Sequence, residues 1–143
     1  MPLLHCAGTR PVNLGVTEAG LAPCPNSPNC VSSDAADSAH SIPPFELAVP
    51  GAQAWQAAVA VVSELPRSSI VTQQQDYLHA ECQSALFGFV DDLELELREP
   101  DQVIAVRSAS RLGYGDLGVN RRRVELLRQK LQERGILRLP SAR

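Results

Sequence analysis

Alternation and helical spacing of apolar positions divide the second half of the chain into clear elements. Trp55, Ala58, Val59 and Val62 recur at i, i+3, i+4 and i+7, which predicts a helix over 53–65, preceded by Pro50-Gly51 and stopped by Pro66. Four strands are predicted after it. The segment 69–74 is short and rich in β-branched residues. In 77–86, Leu78, Ala80, Cys82, Ser84 and Leu86 alternate with Tyr77, His79, Glu81 and Gln83. In 89–97, Leu93, Leu95 and Leu97 alternate with Asp92, Glu94 and Glu96, and 103–110 follows after a turn at Glu99-Pro100-Asp101-Gln102. Alternation with one polar face predicts antiparallel strands covered on one side, joined as a meander.

The last hairpin has one register that satisfies both faces. Leu97 opposite Ile104 sets Leu95 against Val106, Leu93 against Ser108 and Asp91 against Ser110 on the buried face. Glu94 then meets Arg107 on the outer face, an opposite-charge cross-strand pair. A final helix is expected over 117–134, capped by Asp116 and stopped at Gly135, with Leu117, Asn120, Val124, Leu127 and Leu131 on one face. Arg121 and Arg123 flank that stripe and Arg122 points outward. The expected fold is α+β: a four-stranded antiparallel sheet with two helices packed on one face.

The first third reads differently. Residues 1–50 hold eight of the eleven prolines, and proline removes a backbone donor, so an extended Pro-rich arm over 1–44 is expected to precede a single α+β domain over 45–143. Within it, the turn-forming run Cys24-Pro25-Asn26-Ser27-Pro28-Asn29-Cys30 favours a Cys24–Cys30 disulfide in an oxidising compartment. Two unpaired cytosolic thiols are the alternative, and metal binding by them with His40 ranks third. Cysteine spacing matches no zinc motif, so no metal is expected, and no cofactor is expected either. Leu3-Leu4-His5-Cys6-Ala7-Gly8 resembles the tail of a lipoprotein signal, with Cys6 the lipidated residue. The charged and apolar stretches that should come before it are missing, so either a longer gene product carries them or the match is fortuitous.

At 143 residues and 44% hydrophobic content the chain is long and apolar enough for a globular core. The formal net charge of -3 argues against a general affinity for nucleic acid or anionic membranes, and no apolar run is long enough to span a bilayer.

The candidate chemistry sits in 106–123. Three consecutive arginines in a first helical turn oppose the helix macrodipole, so a negative group is expected nearby. It is either internal, from Asp91, Asp92 or Asp116, or an external anion held by guanidinium forks beside Gly113, Gly115 and Gly118. An internal polar network is the favoured source. The candidate ligand-binding set is Asp91, Ser108, Ser110, Arg111, Tyr114, Asp116, Asn120, Arg121 and Arg123. A hydrolase or transferase reading would use Ser108, Ser110 or Tyr114 with Asp91 or Asp116. A third reading puts function on the outer sheet face at Tyr77, His79, Glu81 and Arg107. Cys82 and the strand histidine His79 are expected as a core residue and a surface residue.

Three segments together resemble one family. They are Cys24 to Ser33, then Leu86-Phe87-Gly88-Phe89-Val90-Asp91-Asp92, and the long motif from Arg107 to Arg123. From about Ala22 onward the chain is similar to the domain-of-unknown-function family numbered 1499, departing at Gly115, where a serine is usual. The resemblance implies a bacterial envelope protein, often a lipoprotein, with relatives in chloroplasts, and carries no activity. The functional expectation is an envelope-associated, non-catalytic module binding an anionic small molecule or an envelope protein. It would be periplasmic or lipid-anchored at Cys6, the alternative being cytoplasmic.

Overall fold

The leucine-rich alternation of the second half does build a meander, with the expected register. The computed structural model describes residues 8–85 and 88–140, so Cys6 and Leu86 lie outside the described residues. The elements are β1 (Val16–Thr17), β2 (Gly20–Leu21), β3 (Cys30–Ser32), β4 (Phe45–Glu46), α1 (Gly51–Glu64), β5 (Ser68–Gln73), β6 (Tyr77–Gln83), β7 (Val90–Arg98), β8 (Val103–Ser110) and α2 (Val119–Glu133). Between β7 and β8, Leu97 stands opposite Ile104, Leu93 opposite Ser108, Glu94 opposite Arg107 and Asp91 opposite Ser110.

The main sheet has six strands, not the expected four, in the order β3-β8-β7-β6-β5, with β4 also paired to β8. The two additional strands come from the proline-rich third. The free edge of β8 accepts Cys30–Ser32 against Arg107–Ala109 and Phe45–Glu46 against Val103–Ile104. Pro23, Pro25 and Pro28 precede β3, and Pro43 and Pro44 lie between β3 and β4, where no ladder donor is needed. The extended arm expected there is therefore replaced by edge strands and the small β1–β2 hairpin.

One face of the sheet carries the apolar core. Leu78, Ala80, Cys82, Leu93, Leu95, Leu97, Ile104 and Val106 pack with Ala54, Trp55, Ala58, Val61 and Val62 of α1 and with Val124, Leu127 and Leu131 of α2. Trp55 satisfies its indole N–H on the Gln74 carbonyl at 2.9 Å, so the ring is buried without an orphan donor.

The second face is polar, as the alternation predicts, yet it is not open to water. Tyr77, His79, Asp92, Glu94 and Arg107 are all buried, which corrects the expectation of an exposed outer face and of His79 as a surface residue. The N-terminal segment lies over them. The Gly15 N–H donates to Glu94 at 2.8 Å, the Pro23 carbonyl accepts from Arg107 at 3.2 Å, and Arg10 pairs with Glu81 at 3.1 Å. Beneath this cover His79 Nε2 meets Asp92 at 2.7 Å and Tyr77 donates to Glu94 at 2.6 Å. Period-two polarity reports which side chains share a face. It does not report that opposite charges on that face lie close enough to be buried together, even where, as at Glu94 Oε1 and Arg107 Nε, a polar atom is left without a hydrogen bond among the described residues.

Candidate functional site

The polar residues of 106–123 gather where β8 leaves the sheet and α2 begins. The helix starts at Val119 rather than Leu117, and its cap is Gly118 with φ 80°, not Asp116. The Asp116 carboxylate caps from outside, accepting from the Gly118 and Asn120 N–H groups at 2.8 and 3.1 Å. Burial pushes the Asp116 carboxyl up, but the Asn120 side chain and these backbone donors outweigh it and hold the group below the usual carboxylate range.

Asn120, fully buried within the apolar stripe of α2, is the hub. Its Oδ1 accepts from Ser108 Oγ at 2.7 Å and from Arg123 Nη1 at 2.9 Å. Its Nδ2 donates to Ser110 Oγ at 2.8 Å, Asp116 Oδ2 at 2.9 Å and the Asn29 carbonyl at 3.2 Å. Asn29 in turn donates to the Gly113 carbonyl at 2.9 Å, which ties the cysteine loop to the glycine turn. That loop is closed by the Cys24–Cys30 disulfide. The cysteine loop, Asp91 of β7 and the 106–123 stretch thus converge on one point.

The arginines part company. Arg123 pairs with Asp91 at 2.7 Å, so its counter-charge is internal. Arg111 points to the second face of the sheet, where it pairs with Asp92 at 2.8 Å and with Glu81; it is not joined to Asn120. Arg121 donates to the Ser41 and Ala39 carbonyls at 3.1 and 3.2 Å. Tyr114 projects from the glycine turn, 72% exposed. Ser108 and Ser110 hydrogen-bond to Asn120, and among the described residues no hydrogen bond links either hydroxyl to a carboxylate or an imidazole. The buried His79–Asp92 pair lies across the sheet from them.

Two adjoining hollows open beside this network, sharing Val119. One, of about 160 Å³, lies between the β6–β7 connection and the glycine turn. Phe89, Val90 and Leu112 line it, with Asp91, Ser110 and Asp116 supplying its polar atoms. Both of those carboxylates are already satisfied. The other, of about 250 Å³, lies between the end of α1 and the first turns of α2. It has an apolar floor of Leu65, Cys82, Val119 and Leu126 and a rim of Arg67, Arg122 and Arg123. No acid lines it. Arg67 donates to the Gln83 carbonyl at 3.1 Å and Arg122 to the Leu117 carbonyl at 2.7 Å, so neither guanidinium has an ion-pair partner among the described residues. A larger hollow of about 350 Å³ over the second face contains Arg107 and Arg111, but their charge is met by Glu94, Asp92 and Glu81.

Arg67 was not among the residues singled out from sequence, and Arg122 was read only as pointing outward. Arg67 follows the helix-stopping Pro66 with φ 54°, and no periodicity connects it with a helix more than fifty residues away. Only folding brings it opposite Arg122.

Fold and site together define an α+β protein in which a mixed apolar and basic cleft abuts a buried Asp-Asn-Arg network. Residues 20–131 match the family described as "Protein of unknown function (DUF1499)", and the chain belongs to that family. No curated protein and no solved structure matches the chain significantly.

Proposed function

We propose that this protein is a non-catalytic cell-envelope module that binds an anionic small molecule in the hollow rimmed by Arg67, Arg122 and Arg123. The observation that carries the reading is the pair Arg67 and Arg122. Two guanidinium groups face an apolar floor, and no carboxylate lines the hollow to neutralise them. Guanidinium forks bind carboxylates and phosphates through paired charge-assisted hydrogen bonds, and an apolar floor strengthens such bonds by excluding water. The internal network explains why the site lies here and not at the glycine turn. Asp91 and Asp116 would repel an anion there, and Arg123 and Arg111 are spent on internal partners. The Cys24–Cys30 disulfide supports an oxidising compartment, as the lipoprotein-like start of the chain does.

The test is thermal unfolding with a panel of inorganic phosphate, short carboxylates and nucleotides. At least one anion should raise the Tm in a concentration-dependent way. Arg67→Gln with Arg122→Gln should abolish the rise while leaving the Tm of the free protein unchanged, since both side chains are exposed. No shift with any anion, or a shift that survives the double substitution, contradicts the reading.

A further inference from the structure

We propose that the anion is the headgroup of a lipid, and that the end of the molecule bearing the glycine turn docks on an anionic lipid surface. This rests on the anion reading above and names its source. Among the described residues ten large hydrophobic side chains are exposed, and six of them, Phe89, Leu112, Tyr114, Leu117, Val119 and Leu126, belong to this one end. Five of them line adjoining hollows, and Tyr114 stands between Gly113 and Gly115, which line one of these. Phe89, Leu112 and Val119 line the apolar one, and Val119 and Leu126 line the arginine-rimmed one. Leu117 and Arg121 line a third hollow alongside. Scattered exposed leucines need no explanation, but a cluster rimmed by unpaired cations does.

Backbone strain points the same way. Three non-glycine residues among those described have positive φ, and two of them, Arg67 and Leu117, sit here. Leu117 is 93% exposed at φ 55°, so it contributes nothing to the core and occupies a conformation that glycine or asparagine would adopt at lower cost. Stability alone would not keep a leucine there. Strained residues that the core does not require concentrate at binding surfaces. Exposed aliphatic and aromatic side chains flanked by arginines are the combination that inserts at a headgroup boundary, with the cations on lipid phosphates.

The formal net charge of -3 opposes a general attraction to anionic lipid. Screening confines charge effects to about 10 Å at moderate salt, so the local unpaired Arg67 and Arg122 decide the matter. The only carboxylates lining the three hollows are Asp91 and Asp116, and both are held by internal donors. Gly8 also falls at this end. A Cβ on Gly8 would stand 3.0 Å from Leu112 Cγ and 3.1 Å from Arg111 Cβ.

The experiment is co-sedimentation of the full chain with vesicles of phosphatidylcholine alone and of phosphatidylcholine mixed equally with phosphatidylglycerol, beside the thermal shift with inorganic phosphate. The expected result is binding to the anionic vesicles, weak binding to the neutral ones, and release by high salt. Leu117→Asn with Tyr114→Ser should reduce vesicle binding about tenfold, equivalent to about 1.4 kcal/mol of lost apolar burial. The same variant should keep its phosphate-induced thermal shift, which also reports that it is folded. A phosphate shift without vesicle binding overturns the lipid proposal and leaves the anion reading standing. Vesicle binding that ignores Leu117 and Tyr114 overturns the docking surface. Absence of both phosphate shift and vesicle binding overturns the proposal together with the reading beneath it.

Discussion

At the scale of single residues, Asn120 organises the point where three segments meet. Its amide offers two donors and one acceptor, and it serves Ser108, Ser110, Arg123, Asp116 and the Asn29 backbone at once. Replacing it with alanine leaves buried polar partners unsatisfied. Asn120→Ala is expected to destabilise the fold by about 3 kcal/mol in denaturant titration, well beyond an ordinary side-chain truncation. Asn120 was legible in the sequence as a polar residue in an apolar stripe. Its five partners were not, because they arrive from segments whose mutual placement only the tertiary fold determines.

His40 makes a second claim at this scale. Its Nε2 donates to the Ser27 carbonyl at 2.7 Å and its Nδ1 to Asp37 at 2.6 Å, an arrangement that needs the doubly protonated ring. The Ser27 carbonyl, then the Asp37 carboxylate, raise its pKa above the ordinary histidine value against burial and the nearby Arg121 charge. A raised folded pKa contributes stability that is fully present below the unfolded value of about 6.5 and is lost as pH rises through the folded value. The Tm should therefore fall as pH is taken upward from about 6.5, and His40→Gln should flatten that part of the profile.

At the scale of elements, the leucine alternation fixed the β7–β8 register correctly because a one-residue slip would have reversed both faces. The start of α2 was displaced by two residues because Gly118, free to take positive φ, ends the turn more cheaply than Asp116 could as a cap. β3 and β4 were missed because two- and three-residue strands are too short to show periodicity, and prolines on either side masked them. The Cys24–Cys30 loop holds β3 against β8 and presents Asn29 to the glycine turn. Closing a loop this short restricts the unfolded chain by about 2 kcal/mol in the entropic account. Cys24→Ser with Cys30→Ser should lose that much stability, and amide exchange at Gly113 to Asn120 should accelerate, since Asn29 is no longer held. Unchanged exchange there would separate the loop from the turn.

At the scale of the whole molecule, one sheet carries two unlike interiors. The helix-facing side is an apolar core, whereas the other side is an ion-paired layer under the N-terminal segment. The second interior commits Arg107 and Arg111 to buried acids, and Arg123 is committed to Asp91 at the head of α2. Among the described residues Arg121 and Arg138 also bond only to backbone carbonyls, but Arg67 and Arg122 share a hollow lined by no acid, and a sequence in which every arginine looks alike could not single them out. We propose that these two groups bind an anion above the apolar floor between α1 and α2. The most direct measurement is an amide-resolved NMR titration of the full chain with inorganic phosphate. Saturable shifts centred on Arg67, Gln83, Val119 and Arg122 are predicted, with the Arg111 and Tyr114 amides unmoved. Shifts centred on the glycine turn instead, or none at any residue up to high phosphate, would contradict it.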